Sequence, residues 1–181
     1  LTGSLLAFAG PDAEVLLIEP FYDSYLAAAR LANAPVRTVR LLPPNFRVDV
    51  TALRAALTSR TRVLLLNQPH NPTGRVFDRG ELEAIAQVAA QRDLIVVCDE
   101  VYEHLVYTAP FQTLRALPGM RERTVAISGL SKTFSLTGWR IGWLTGPEAL
   151  VERVRGVHQY VTFAAPTPLQ QSPQRRRVGM V

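Results

Sequence analysis

The stretch from Ser128 to Gly142 reads S-G-L-S-K-T-F-S-L-T-G-W-R-I-G and holds the only lysine among the chain's 20 basic residues. An apolar run gives way here to a polar turn that contains Lys132, and Arg140 follows eight residues later. A lysine amine attacks an aldehyde when it is partly deprotonated, which burial and neighbouring positive charge both favour. An arginine can hold a phosphate through two parallel hydrogen bonds. The pair suits a phosphorylated aldehyde, although a solvated loop lysine and a surface arginine would have the same spacing.

On both sides of this stretch, short apolar runs rich in Val, Leu and Ile alternate with longer amphipathic segments. The alternation predicts an α/β fold, with short, mostly buried strands joined by helical crossovers in a mainly parallel sheet. The predicted strands are Val15 to Ile18, Val36 to Leu41, Val63 to Leu66, Leu94 to Cys98, Thr124 to Ile127 and Ile141 to Leu144. The predicted helices are Ser24 to Ala32, Thr51 to Leu57, Arg79 to Arg92 and Glu148 to Tyr160, and Leu1 to Phe8 has the pattern of the middle of a helix.

The composition is ordinary for one globular domain, with 48% hydrophobic and 19% charged residues in 181. No apolar run approaches the roughly 18 to 20 residues that cross a bilayer, and the first residues lack a signal-peptide pattern, so we expect a cytoplasmic protein without membrane contact. The net charge of +5 includes the consecutive Arg175, Arg176 and Arg177, and the other arginines are scattered, which argues against a nucleic-acid partner. Cys98 is the only cysteine, so no disulfide or cysteine metal cluster can form within the chain.

The lysine-bearing stretch resembles the cofactor-attachment signature of the class I aminotransferases, which use pyridoxal 5'-phosphate (PLP). The matching positions are Gly129, Leu130, Ser131, Lys132, Gly138, Arg140 and Gly142. The chain is most similar to the subgroup with kynurenine, methionine and succinyldiaminopimelate aminotransferases, from about Leu1 to Gln170. The resemblance implies the large domain of a fold-type I PLP-dependent transferase, with a mainly parallel mixed sheet and helices on both faces. It also implies that Lys132 holds PLP as a Schiff base, and that Arg140 and either Ser128 or Ser131 bind its phosphate.

The string D-E-V-Y follows the predicted strand that ends at Cys98. In open α/β sheets ligands bind at the carboxyl ends of strands, so Asp99 is expected at a cleft. The string resembles the family's, which implies that Asp99 keeps the pyridine nitrogen of PLP protonated and that Tyr102 donates to the phenolic oxygen. The alternatives are that Asp99 caps the next segment and that Tyr102 only packs. Glu100 is better explained as structural.

Two further motifs follow strand ends. The string N-Q-P-H-N-P-T-G from Asn67 to Gly74 predicts a rigid turn on its prolines and glycine alone. It also resembles the family's Asn-Pro-Thr-Gly loop, which implies that Asn71 binds the phenolic oxygen opposite the tyrosine, while His70 is expected to be structural. The string E-P-F-Y-D-S-Y contains Tyr22, which resembles the aromatic residue that stacks on the pyridine ring, with core packing as the alternative.

The chain departs from the family pattern at both ends. The turn that cradles the cofactor phosphate precedes the segment matching Leu1 in the family, and the small domain with the carboxylate-binding arginine follows the segment matching Gln170. We therefore expect residues 1–170 to form a partial PLP-binding large domain, residues 171–181 an irregular basic tail, and the small domain to be missing. No metal site is expected.

The predicted function is transamination between an L-amino acid and a 2-oxo acid, by an aminotransferase fragment. The alternatives are a PLP-dependent beta-elimination lyase, which uses the same residues, and a non-catalytic remnant or effector-sensing domain of a regulator. A homodimer is implied by the resemblance for the full-length protein.

Overall fold

The computed structural model describes residues 1–107 and 110–170, whose six strands form one sheet in the order β2-β1-β3-β4-β5-β6. The strands are β1 (Glu14–Glu19), β2 (Val36–Arg40), β3 (Thr61–Asn67), β4 (Ile95–Asp99), β5 (Thr124–Gly129) and β6 (Gly142–Thr145). The helices are α1 (Thr2–Phe8), α2 (Ser24–Leu31), α3 (Val50–Ala56), α4 (Arg79–Gln91), α5 (Leu130–Thr133) and α6 (Glu148–Val161). No helix in this described part is both long and apolar enough to span a bilayer.

Strands β1 to β5 pair in parallel and β6 pairs antiparallel with β5. Parallel neighbours need a crossover of a dozen or more residues, usually a helix, whereas the connection from β5 to β6 contains only the one-turn helix α5 and a 3-10 turn at Thr137–Trp139. The chain therefore turns back at the carboxyl end of β5, and Gly129 pairs with Gly142. As a result, both ends of the loop that carries Lys132 and Arg140 start from the same edge of the sheet.

The core has two layers, one on each face of the sheet. In β1, Leu16 and Ile18 pack with residues of α3 and α4, whereas Val15 and Leu17 pack with residues of α1 and α2. Successive residues of a strand point to opposite faces, so a central parallel strand covered on both faces is apolar throughout. The predicted α/β class, the mainly parallel sheet and the helices on both faces are confirmed.

Helix α4 shows how the sequence sets one of these elements. Asp78 accepts from the backbone N–H of Glu81, and Glu81 accepts from the backbone N–H of Asp78, which is a capping box at the helix start. Leu82, Ile85 and Ala89 recur at helical spacing and are buried in the α4 layer of the core. The amphipathic helix predicted from Arg79 to Arg92 is therefore confirmed.

The predicted strands and helices agree with the structure to within two residues at each end. The expectation that every strand is mostly buried is wrong for β2 and β6, because these are the edge strands and β6 has no buried residue. Helix α5 and the 3-10 turns at Leu114–Ala116 and Thr137–Trp139 were not predicted, since three or four residues show no period. The predicted tail, 171–181, lies outside the described residues, and the domain boundary at 170 stays a prediction.

Candidate active site at the carboxyl edge of the sheet

A cavity of about 420 Å³ opens at the carboxyl ends of β3, β4 and β5. All eight side chains predicted to contact the cofactor line it: Tyr22, Asn71, Asp99, Tyr102, Ser128, Ser131, Lys132 and Arg140. The structure thus brings together residues from four separate motifs, while their individual roles stay predictions. Four more lining residues were not predicted, namely Tyr25, Val101, Ile127 and Thr137.

The carboxylate of Asp99 is held by hydrogen bonds on both oxygens. The Tyr25 hydroxyl donates to Oδ2 at 2.7 Å, and the backbone N–H of Val101 donates to Oδ1 at 3.2 Å. The Asn67 amide also donates to the Asp99 carbonyl oxygen at 2.9 Å, which fixes the backbone at the same point. The contact with Val101 is the capping interaction considered as the alternative, so Asp99 both caps the turn and faces the cavity.

Tyr25 is the main residue that the sequence analysis missed. Its side chain is 2% exposed, and its ring meets the Tyr22 ring edge to face with the centroids 5.8 Å apart. Burial, followed by the charge of Asp99, raises the pKa of Tyr25 well above its ordinary value, so it remains a hydrogen-bond donor. A signal was present, because Tyr25 lies three residues after Tyr22 and so about one helical turn along α2.

The cavity lining also has a cationic part, the cationic wall formed by Lys132 and Arg140. The Lys132 ammonium lies 5.7 Å from the centroid of the Tyr102 ring, and the Arg140 guanidinium donates weakly to the Thr137 carbonyl oxygen at 3.4 Å. Neither cation forms an ion pair with a carboxylate among the described residues. Arg140 also has a left-handed backbone with φ of 55°, which costs a non-glycine residue on the order of 1 kcal/mol and is concentrated at functional sites.

Two glycines let the ends of the loop between Leu130 and Ile141 meet. The Leu130 N–H donates to the Ile141 carbonyl oxygen at 3.0 Å. A Cβ on Gly142 would lie 2.8 Å from the Ser128 carbonyl oxygen, and one on Gly129 would lie 3.0 Å from the Ile141 carbonyl oxygen. The close backbone approach therefore requires glycine at 142, and at 129 it leaves a side chain little room.

The two candidate phosphate-binding serines differ in their hydrogen bonds. The Ser128 hydroxyl, on a buried residue, donates to Glu103 Oε1 at 2.6 Å. The Ser131 hydroxyl forms no hydrogen bond with another residue in 1–107 or 110–170, and only its carbonyl oxygen accepts, from Thr137 at 3.2 Å. Both serines line the cavity, but only one has a free donor.

The turn that carries Asn71 is fixed by its own residues. The backbone N–H of Asn71 donates to Asn67 Oδ1 at 2.6 Å. The Gly74 N–H donates to the His70 carbonyl oxygen at 2.7 Å, and Gly74 has a φ of 70°. The buried His70 ring lies 2.7 Å from the Thr73 hydroxyl through Nδ1, and burial lowers the pKa of His70 to about 4. The neutral imidazole is thus a support for the turn.

Glu100 is turned away from the cavity into the protein. It is buried and accepts from the Thr113 hydroxyl at 2.6 Å, and burial raises the pKa of Glu100 to about 7. This agrees with the expected structural role. Within the described residues no group of His, Cys, Asp and Glu could hold a metal ion.

The donor set suits a ligand with an anionic group at one end and a protonated nitrogen at the other. The unpaired Arg140 guanidinium and the free Ser131 hydroxyl are donors for a phosphate. Asp99, which also lines the cavity, is an acceptor for an N–H group, and Lys132 supplies an amine that can react with a carbonyl. The residues therefore fit a phosphorylated pyridine aldehyde.

Several proteins that are similar to this chain in sequence and fold are aminotransferases. Residues 2–173 match the family model for aminotransferase class I and II. A probable N-succinyldiaminopimelate aminotransferase of Mycobacterium tuberculosis is 47% identical over 94% of this chain, and a methionine aminotransferase of Escherichia coli is 39% identical over 94%. The solved N-succinyldiaminopimelate aminotransferase from Mycobacterium tuberculosis superposes with a TM-score of 0.95 and 45% identity over 98% of this chain and 47% of that one.

The match is extensive for this chain but partial for its relatives, since the chain spans 44% of the length of the first relatives it matches. PLP is the cofactor of these proteins, and the donors around the cavity fit it. The family-model match, the sequence identities and the shared fold all agree with the lysine signature. The chain therefore belongs to the class I and II aminotransferase family.

Proposed function

We propose that this chain supplies the cofactor-binding half of a PLP-dependent aminotransferase that exchanges an amino group between an L-amino acid and a 2-oxo acid. The observation that carries the proposal is the cavity that Lys132 and Arg140 line together with Asp99, while neither cation has a carboxylate partner among the described residues. When bound, PLP supplies an aldehyde that captures amines and a pyridine ring that withdraws electrons from the captured substrate.

Lys132 has two tasks in this proposal. Its Nζ atom would hold the cofactor through the aldehyde carbon, and as a free amine it would accept a proton from the substrate's alpha carbon and return it. The Tyr102 ring, 5.7 Å from Nζ, partly shields the amine from water.

Asp99 and the residues behind it bind the far side of the ring. Its carboxylate would accept a hydrogen bond from the protonated ring nitrogen, and the hydrogen bonds from Tyr25 and Val101 hold its two oxygens in place. Asn71 and Tyr102 would hold the phenolic oxygen, and Tyr22 would pack against the ring. Tyr22 is 49% exposed, which leaves its ring accessible to a ligand.

The test is covalent trapping of the cofactor on the only lysine. The purified chain is mixed with PLP, reduced with borohydride and digested, and the modified peptide is located by mass spectrometry. We expect about one cofactor per chain on the peptide with Lys132 and none in Lys132→Ala. Lys132→Arg is the matched control, because it retains the positive charge and cannot form the bond. The absence of specific labelling of the unmodified chain would contradict the proposal and favour a non-catalytic remnant.

Product analysis separates transamination from the lyase alternative. A lyase would convert a substrate amino acid to ammonia and pyruvate without a 2-oxo acid acceptor, whereas an aminotransferase requires the acceptor and makes a new amino acid. This assay is made on the longest protein that contains the chain. Product that forms only with the acceptor supports transamination.

We further propose that the complete protein is a cytoplasmic homodimer with no nucleic-acid or membrane partner. The buried Cys98 thiol, free of disulfide bonds in the described part of the chain, supports a reducing compartment. Light scattering of the full-length protein tests the dimer.

A further inference from the structure

The carboxylate of Glu103 lies beside the cationic wall, and the function proposed above gives it no task. Glu103 follows Tyr102 by one residue, its side chain is 23% exposed, and it accepts the Ser128 hydroxyl proton at 2.6 Å. The nearest basic group in an ion pair with it is His104, at 3.9 Å and 61% exposed, which is a weak partner. Its strongest contact is thus with a residue of the cavity wall.

A serine hydroxyl has one proton, so it can donate one hydrogen bond at a time. A charged carboxylate is a stronger acceptor than a neutral one, and the short 2.6 Å contact is typical of such a bond. With that proton directed at Glu103, the Ser128 oxygen presents only lone pairs to the cavity. A phosphate, which offers acceptor oxygens, gains no donor from Ser128 in this arrangement.

The other donors of the same wall are free. Ser131 Oγ has no hydrogen-bond partner among the described residues, and the Arg140 guanidinium has only the weak 3.4 Å contact with Thr137. Ser131 precedes Lys132 directly, and both line the cavity. An anion bound between Ser131 and Arg140 therefore has one hydroxyl and one guanidinium as hydrogen-bond donors.

We infer that Glu103 is a positioning residue that holds the Ser128 hydroxyl proton, so that Ser131, and not Ser128, donates the side-chain hydroxyl to the cofactor phosphate. This inference rests on the proposed function. It also places a carboxylate one hydrogen bond behind Ser128 of the cavity lining, where its negative charge weakens phosphate binding.

The test compares the affinities for PLP and for pyridoxal, which lacks the phosphate. The ratio of the two dissociation constants isolates the phosphate contacts, because a variant that merely loosens the fold weakens both ligands alike. We expect Ser131→Ala to lower the preference for PLP about tenfold, in the range for a hydrogen bond to a charged group. Ser128→Ala should change it by no more than about twofold, as should the matched control Ser59→Ala at an exposed serine outside the cavity.

The variant Glu103→Gln is tested in the same assay. Removing the charge should raise the preference for PLP over pyridoxal several-fold. Part of that gain should vanish in the double variant Glu103→Gln, Ser128→Ala, because the Ser128 hydroxyl that Glu103 would release is then absent. Glu122→Gln, an exposed carboxylate just before β5 and so at the opposite edge of the sheet, is the matched control. A loss in Ser128→Ala equal to that in Ser131→Ala, or no gain in Glu103→Gln, would overturn the inference.

Failure of the proposed function is distinguishable from failure of the inference. If neither PLP nor pyridoxal becomes fixed to Lys132, the proposed function fails, and inorganic phosphate is then the probe. A phosphate-dependent rise in melting temperature that is lost in Ser131→Ala and kept in Ser128→Ala still supports the inference. No rise, or the reverse pattern, overturns it.

Discussion

The two edges of the sheet carry similar charged side chains, but they use them differently. At the amino edge the buried Glu14 lies 2.9 Å from Arg60 and 3.6 Å from Arg37, and accepts from the Thr58 hydroxyl at 2.5 Å. At the carboxyl edge Lys132 and Arg140 have no carboxylate partner among the described residues. We call Glu14 with Arg37, Arg60 and Thr58 the closed network, because these groups pair with one another. We call Lys132 and Arg140 the open network, because a ligand can pair with them. The comparison predicts that mutations in the first affect stability and mutations in the second affect ligand binding.

The largest expected effect is on stability, at the closed network. Glu14→Ala removes a buried carboxylate that accepts from Thr58 and Thr61 and pairs with two half-exposed arginines. We expect the free energy of unfolding to fall by about 3 kcal/mol, below the full cost of a buried pair because water can solvate the arginines. Urea denaturation measures it. Glu83→Ala, in an exposed pair with Arg79, should cost no more than about 0.5 kcal/mol, and equal losses would contradict the comparison.

The next effect is on binding, at the open network. Arg140→Ala removes the guanidinium that has no ion pair in the described chain, so the affinity for PLP should fall about 30-fold, or about 2 kcal/mol, through lost charge-assisted hydrogen bonds. The free energy of unfolding should change by less than about 0.5 kcal/mol, because the residue is exposed. Arg92→Ala is the matched control at the end of α4. A large loss of stability in Arg140→Ala, with no change in the affinity for PLP, would mean that Arg140 is paired within the protein, as Arg37 and Arg60 are.

A third prediction concerns the pH dependence of stability that is due to His70, the residue that supports the turn carrying Asn71. Burial lowers the pKa of His70 to about 4 from an ordinary 6.5, so its contribution to stability is complete above pH 6.5 and is lost as the pH falls towards 4. At pH 5.5 the loss is about 1.4 kcal/mol. The raised pKa of Glu100, about 7, acts in the opposite direction over the same interval. The measurement is therefore the difference in unfolding free energy between the unmodified chain and His70→Gln, from pH 7.5 to pH 4.5. A pH-independent difference would refute a buried neutral His70.

The smallest effect is expected at Tyr25. This residue is buried, as Glu14 is, and its hydroxyl contacts Asp99, a carboxylate that faces the ligand cavity. Tyr25→Phe retains the ring and removes the 2.7 Å hydrogen bond to Asp99, so it should cost about 1 kcal/mol of stability. Tyr107→Phe, at a side chain that is 89% exposed, is the control and should cost nothing measurable. Thermal denaturation at pH 7.5 compares them. An unchanged Tyr25→Phe would show that water replaces the hydroxyl and that the carboxylate is not held.

Much of the fold could be predicted because each central strand is buried on both faces and each long helix has one apolar stripe. These are local patterns, and β1 and α4 followed them closely. The edge strands β2 and β6 departed from the expected burial because a strand's position in the sheet is not a local property. The one-turn helix α5 was too short to show any period.

The site was predictable to the extent that its residues follow strand ends in recognisable strings. Asp99, Asn71 and Lys132 were found that way. Tyr25 and Glu103 were missed because each acts through a hydrogen bond to a distant residue, across 74 positions to Asp99 and 25 positions to Ser128. Such partners are set by the order of strands in the sheet, which no short string encodes.

The return of the chain from β5 to β6 has a consequence for how the site is assembled. Lys132 and Arg140 lie on one short loop closed by neighbouring antiparallel strands, whereas the contact between Tyr25 and Asp99 closes a loop of 74 residues. The entropy lost on closing a loop rises with its length. The loop with Lys132 and Arg140 thus costs less entropy to close than the contact that holds Asp99. We therefore expect partial unfolding to release the ring end of the cofactor before its phosphate.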